Sequence, residues 1–420
     1  MSDLARRDKQ VLWHPYTQHG IEDDPIVVRS ARGATLTLAD GREVIDAISS
    51  WWTSLHGHGR PEIVEAMRSQ AETLDHVLFA GATHEPAVQL AEQLVRHTPR
   101  GLSRVFFSDD GSTAVEVALK IALQSHAQRG QPARKVFVAL DGGYHGDTFG
   151  AMAVGDPDPF FRVFESLLFR VERVPADAQR MAAMLEQLGA TAAGVIVEPL
   201  VQGACGMKMH GPEFLREVRR LCNEHSIPLI ADEVMTGFGR TGKLFACEHA
   251  GITPDLMCLA KGLTGGVYPL SATLTTEAMF EAFLASDRSQ ALFHGHSFTA
   301  NPIGCAVALA SLDIALREDV PARLDWIGAT IERELRSRLP RGAPLHDLRR
   351  TGGIVAFDLA TSSAGYLALD PRPLRAKALE LGVLLRPLGN VVYALPPACT
   401  SEVECVAIAR AMLALATLEL

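Results

Sequence analysis

Two hydrophobic patterns divide the chain. The stretch "ATLTLADGREVIDAIS" (34–49) alternates apolar and polar residues around Asp40-Gly41, which predicts a β-hairpin with a tight turn. From about residue 84 helical and strand patterns take turns. "HEPAVQLAEQLVRH" and "TAVEVALKIALQSHAQ" carry helical periodicity, whereas "RVFFS", "KVFVAL", "LLFRVERV", "AGVIVEPL", "PLIADEV", "LMCLAK" and "LSATLT" are short apolar runs bounded by turn residues. Seven strands separated by helices predict an α/β fold with a mostly parallel seven-stranded sheet, covered by helices on both faces. Ligands of such sheets lie beyond the C-terminal ends of the strands.

A long helical pattern covers 300–317, after which the chain turns Arg-rich and strands return in "GGIVAFDLA" and "GVLLRPLGNVVYALPP". Ser401 and Glu404 have the spacing of a capping box at the start of the last helix. The expected organisation is an N-terminal segment, 1–60, whose hairpin packs on the other units, a large α/β domain, 61–314, and a smaller α+β domain, 315–420.

Composition excludes several classes of function. With 420 residues, 47% of them hydrophobic and 21% charged, the chain is globular and large enough to bury a substantial core. A formal net charge of -9 disfavours nucleic acid and anionic membrane as partners. The seven cysteines are scattered without a C-x-x-C pair, so they read as reduced core thiols rather than disulfides or a zinc site. No run approaches the ~20 apolar residues of a membrane span, and the first residues lack a signal-peptide core. A cytoplasmic protein acting on small molecules is expected.

Candidate chemistry begins in "PLIADEVMTGFGRTG" (228–242), where an apolar strand ends in Asp232 and Glu233 before a G-x-G-x-x-G run. Dinucleotide binding needs those glycines directly after the strand and opening a helix. Two carboxylates stand in that place and would repel a pyrophosphate, so they are expected to face a cation. Lys261 ends the next strand, between "LMCLA" and "GLTGG". Alone it reads as a lysine snorkelling to solvent. Beside Asp232 it matches the demands of pyridoxal phosphate: an amine for the aldehyde and an acid for the pyridinium nitrogen. Gly111 and Ser112 precede a helix predicted to start near Thr113, where free N–H groups and the helix dipole attract a phosphate. Tyr144 follows another strand end and could stack on a ring. Of the adjacent Trp51 and Trp52, at least one should line a cavity, since neighbours in sequence cannot share one face.

These motifs carry a family resemblance over nearly the whole chain. "EPLVQG", "ADEVMTGFGRTG", "PDLMCLAKGLTGG" and "HGHSFTANP" resemble the class III aminotransferases of fold type I. "WHPYT", "SSWW", "YHGDTFGAM" and "LLRPLGNVVYALPP" resemble the biotin-pathway branch of that family. The resemblance implies pyridoxal 5'-phosphate as cofactor, bonded by Lys261, with Asp232 on the ring nitrogen and Tyr144 on the ring face. It implies that Gly111 and Ser112 hold the phosphate, together with Ser297 from the other subunit of a homodimer. Tyr16, Trp51, Trp52, Tyr144 and Asp147 would line the substrate cavity, with Arg386 on the carboxylate of 8-amino-7-oxononanoate. S-adenosylmethionine is the implied amino donor, and lysine the alternative.

Three residues depart from the family pattern. Asp110 is an acid where a small hydroxyl residue is usual, Ser297 stands for the commoner threonine, and Met235 replaces a smaller residue. Glu198 and Gln202 follow a strand end without an assigned role. His56 with His58, and His294 with His296, lie in Gly-rich turns with no carboxylate nearby in sequence, and no metal site is expected. The competing readings are an oxidoreductase using "GFGRTG", another class III aminotransferase acting on ornithine or γ-aminobutyrate, and a non-catalytic cofactor-binding protein.

Overall fold

The computed structural model describes residues 3–339, 342, 344–361 and 365–418. The alternating stretch near the N-terminus becomes a meander of β1 (Val28–Arg32), β2 (Thr35–Leu38) and β3 (Glu43–Asp46), paired antiparallel with Leu36 opposite Val44. Asp40-Gly41 turns the chain between β2 and β3, and Gly41 takes a φ of 89°.

The seven apolar runs form β4 (Leu102–Ser108), β5 (Val136–Leu140), β6 (Val171–Val174), β7 (Ala192–Val197), β10 (Leu229–Asp232), β11 (Leu256–Leu259) and β12 (Ser271–Thr276), with a short hairpin of β8 (Val201–Gln202) and β9 (Lys208–Met209) after β7. They assemble one seven-stranded sheet in the order β4-β12-β11-β10-β7-β5-β6. Only β12 runs antiparallel to its neighbours. The chain from Leu259 to Ser271 is shorter than the dozen or so residues a parallel crossover takes, so β12 must return beside β11. β5, β7, β10 and β11 are buried at every position, as central strands covered on both faces must be. On one face the helix Gly111–Gln128 packs Val115, Ala118 and Ala122 among Phe137, Ile196 and Ile230.

Beyond the helix Pro302–Arg317 a second long helix, Val320–Arg338, leads into an antiparallel sheet of β13 (Leu345–Thr351), β14 (Ile354–Leu359) and β16 (Val391–Ala394). Residue 315, where the second domain is expected to begin, lies inside the first of these helices. β15 (Val383–Leu384) leaves this sheet and pairs parallel with β3, Leu384 opposite Asp46. The N-terminal meander thereby joins the C-terminal part of the chain in a four-stranded sheet. The last helix, Glu402–Ala416, starts with the expected capping box of Ser401 and Glu404. All seven cysteines are free, and Cys399 is exposed rather than in the core.

The turn after β3 is wedged between the chain just past β16 and the loop that joins β11 to β12. Ser49 Oγ donates to the Leu395 carbonyl at 2.7 Å, and Gly266, at a φ of 82°, lies so close that an added Cβ would sit 2.6 Å from the Thr53 backbone. A Gly266→Ala change meets both a left-handed backbone and a collision. It is expected to destabilise the fold by about 1–3 kcal/mol, read as a lower midpoint in equilibrium denaturation; an unchanged midpoint would show that this contact is slack.

Candidate active site

Asp232 ends β10 in register with Cys258 of β11, and Lys261 follows just beyond the end of β11. Parallel neighbours deliver both side chains to one edge of the sheet. The Lys261 backbone turns at a φ of 46°. Its Nζ lies 4.5 Å from the centroid of the Trp52 ring and makes no hydrogen bond or ion pair with the described residues. Burial pushes the amine down to about 8, with Asp232 and Glu198 pulling partly in the opposite direction. Asp232 Oδ2 is 2.7 Å from Nδ1 of the buried His145, and Oδ1 accepts the Val234 N–H at 3.0 Å. His145 therefore fixes the carboxylate from behind.

Glu233 does something else. Successive strand residues point to opposite faces, and this carboxylate accepts from Thr236 Oγ1 at 2.9 Å and from the amides of Ala246 at 2.9 Å and Cys247 at 2.8 Å. The expectation that both acids face a cation is corrected: Glu233 faces amides and a hydroxyl, and only Asp232 lines the cavity. Glu198, past the end of β7, accepts the Tyr144 N–H at 3.0 Å and the Gly203 N–H at 2.8 Å. Burial pushes it up to about 7, although His145 and these amides favour its charge. Gln202 lies outside the cavity and donates to the Asp141 carbonyl at 2.9 Å, bracing the loop after β5.

The helix Gly111–Gln128 starts two residues earlier than the sequence suggested, and its cap is Asp110 rather than Ser112. Asp110 Oδ1 accepts the Thr113 N–H at 2.9 Å, and Thr113 Oγ1 accepts the Asp110 N–H at 3.1 Å. The unusual acid is thus turned onto the third helical amide, and the first-turn N–H groups of Gly111 and Ser112 remain for a ligand. A Cβ at Gly111 would come within 2.7 Å of Val234, and one at Gly146 would collide with Ser112 Oγ. Helix start, Asp232 loop and Tyr144 loop are packed too closely there for any larger residue.

These groups line one cavity of about 850 Å³. A buried carboxylate, an amine without a polar partner and a helix N-terminus stand around it, and this set fits the pyridine nitrogen, aldehyde and phosphate of pyridoxal phosphate. The substrate side is aromatic. Tyr16 donates to Asp147 at 2.7 Å and sits 3.1 Å from the Tyr144 hydroxyl. Burial raises both phenols well above their ordinary range. Trp51 meets Tyr16 edge-on at 5.7 Å, and the Arg386 guanidinium lies 4.8 Å from a Trp51 ring centroid. Both tryptophans line the cavity, because Ser49, Ser50, Trp51 and Trp52 all have positive φ and the turn presents consecutive side chains inward. Met235 is also in the wall, its methyl 3.0 Å from where a Gly203 Cβ would stand.

Ser297 is exposed and does not line the cavity of its own chain. The histidine pairs have partners the sequence hid. His58 Nε2 is 2.9 Å from Asp46, His296 is 3.6 Å from Asp109, His56 Nε2 is 3.0 Å from Ser311 and His294 Nδ1 is 3.0 Å from Lys120. The described residues hold no cluster of three metal-ligating side chains. Sequence reasoning missed His145, Phe160, Tyr366 and Arg240. The "GFGRTG" run is irregular, and its Arg240 is buried, donating to the carbonyls of Pro396 at 3.0 Å and Trp52 at 3.3 Å. Burial pushes Arg240 down to about 9 against the opposing pull of Asp46.

A family model for aminotransferase class-III matches residues 16–415. The chain belongs to the class III aminotransferases. A Synechococcus elongatus protein named adenosylmethionine-8-amino-7-oxononanoate aminotransferase is 50% identical, with 94% of this chain and 95% of the relative covered. The crystal structure of a protein of that name from Methanocaldococcus jannaschii superposes with a TM-score of 0.93 at 36% identity, covering 98% of each chain. An amine transaminase from an uncultivated Pseudomonas species, solved in its PLP-bound form, gives a TM-score of 0.88 at 32% identity over 96% of this chain and 98% of that one. This class III aminotransferase is a fold type I enzyme that uses pyridoxal phosphate.

The desolvated amine yields a pH test on the cofactor-free aminotransferase. Only the neutral amine attacks an aldehyde, and with Lys261 held near 8 its neutral fraction rises steeply between pH 7 and 9. The rate at which added pyridoxal phosphate is captured, followed by absorbance, is expected to climb through that range and level above it. A rate still rising steeply above pH 10 would contradict a buried lysine.

Proposed function

We propose that the enzyme transfers an amino group from S-adenosylmethionine to 8-amino-7-oxononanoate, forming 7,8-diaminononanoate in biotin biosynthesis. The observation that carries this reading is the placement of Arg386 on the Trp51 ring, in an aromatic cavity that also holds Lys261. A long aliphatic acid needs apolar walls for its chain and a guanidinium for its carboxylate. The shared name of the relatives supports the same substrates.

When bound, pyridoxal phosphate supplies the electron sink for the substrate carbon. The chain's own residues do the rest. Asp232, held by His145, keeps a proton on the ring nitrogen. Lys261 Nζ, easily deprotonated, removes and returns the proton at the reacting carbon. Tyr144 covers the ring, and Asp147 anchors Tyr16 so that its ring walls the substrate channel. The amides of Gly111 and Ser112 bind the phosphate. For the donor, the π faces of Trp51, Trp52 and Tyr16 attract a sulfonium cation and stack on adenine.

We read the enzyme as a cytoplasmic homodimer in which Ser297 reaches the partner's phosphate. Support for the dimer comes from the Ser297 loop, where Phe293 is 79% and Phe298 61% exposed in the single chain. Sedimentation at assay concentration is expected to show a dimer; a fully active monomer would contradict this assembly.

Arg386→Ala is expected to raise the KM for 8-amino-7-oxononanoate by about tenfold or more, as loss of a charged hydrogen bond implies, while the half-reaction with the donor is largely spared. Equal damage to both halves would make Arg386 structural. The donor itself is tested by mixing enzyme with S-adenosylmethionine or lysine, without keto acid, and following the cofactor absorbance. Conversion by S-adenosylmethionine is expected, and conversion by lysine alone would replace it as donor.

A further inference from the structure

The turn that carries the two tryptophans is a run of left-handed backbone without a glycine. Ser49, Ser50, Trp51 and Trp52 take φ values of 49°, 45°, 70° and 73°, and none is glycine. Left-handed backbone is unfavourable for an L-residue, and such conformations persist only where the surroundings over-determine them.

Asp46, at the end of β3, supplies the determination. Its side chain is fully buried and lies outside the cavity lining. Oδ1 accepts the Ser50 N–H at 2.9 Å, and Oδ2 accepts the Ser50 hydroxyl at 2.7 Å. The same Oδ2 is 2.9 Å from Nε2 of His58. His58 is in turn pinned by reciprocal backbone bonds with Gly33 at 2.9 and 2.8 Å, so the pair is tied to the strand turn between β1 and β2.

Trp51 also has somewhere to go. A second cavity, of about 830 Å³, lies between the N-terminal segment and the chain around β15. Ser50, Trp51 and Arg386 line both cavities, so the Trp51 turn is the partition between them. Relaxing Ser50 and Trp51 to ordinary backbone would free the indole to leave Arg386 and Tyr16 for that space. We propose that Asp46 and His58 are positioning residues for substrate: they lock the left-handed turn and thereby hold Trp51 against Arg386 at the substrate carboxylate end.

The inference rests on the substrate reading above, and a double-mutant cycle tests it on the holoenzyme. Asp46→Asn and His58→Gln are each combined with Trp51→Ala, and the KM for 8-amino-7-oxononanoate is measured with kcat and cofactor absorbance. In the native background each change is expected to raise KM by about tenfold, with the cofactor spectrum unchanged; in the Trp51→Ala background it should add less than about twofold, because coupled residues are not additive. Equal effects in both backgrounds, or no effect on KM in the native one, would overturn the proposal. His58 is partly exposed, so His58→Gln decides the question if Asp46→Asn does not fold. Should the native enzyme turn over no 8-amino-7-oxononanoate, the substrate reading fails separately, and the same cycle is run on the donor half-reaction, where the same lack of additivity upholds the lock and additivity overturns it.

Discussion

Parallel pairing of β10 with β11 is the constraint on which the active site depends. It sets Asp232 opposite Cys258 and so brings a buried carboxylate and a partly buried lysine, whose amine is desolvated, to the same sheet edge. An unpaired buried charge costs several kcal/mol, and the site is arranged around that cost. His145 and the Val234 amide hold the carboxylate, while Glu233, one residue on, is saturated by amides and a hydroxyl on the opposite face. Lys261 is the group left without such partners. It loses part of its preference for the charged form, which is what a nucleophilic amine requires.

A second sheet supplies the other half of the site. The pairing of β3 with β15 brings the tryptophan turn and Arg386 together from segments far apart in sequence. Trp52 joins the halves: its ring lies over the Lys261 amine, its Nε1 donates to the Tyr393 hydroxyl at 3.0 Å, and its carbonyl accepts from Arg240. Lys261, Asp232 and the Tyr144–Asp147 loop thus stand at the large sheet, and the tryptophan turn and Arg386 at the other.

Much of this was legible in the sequence, for identifiable reasons. The buried central strands are continuous apolar runs and the outer ones short apolar runs between turn residues, so all seven strands of the large sheet announced themselves, and Lys261 and Asp232 stood out as charges at strand ends. The β3–β15 pairing did not, because a two-residue strand pairing across most of the chain leaves no local signal. Nor did the left-handed turn, since Ser-Ser-Trp-Trp contains none of the glycines that usually mark positive φ. Asp110 looked like an intruder at a phosphate site because its capping role exists only once the helix start is known. His145 and Arg240 were inside motifs that were noticed for their tyrosine and glycines. Their burial, rather than their spacing, gives them meaning.

We propose that one lysine, Lys261, carries the cofactor at the edge shared by β10 and β11. The most direct test is borohydride reduction of the holoenzyme followed by proteolysis and mass mapping of the pyridoxyl label. The label is expected on the peptide containing Lys261, in near-stoichiometric amount. A label on any other lysine would contradict it.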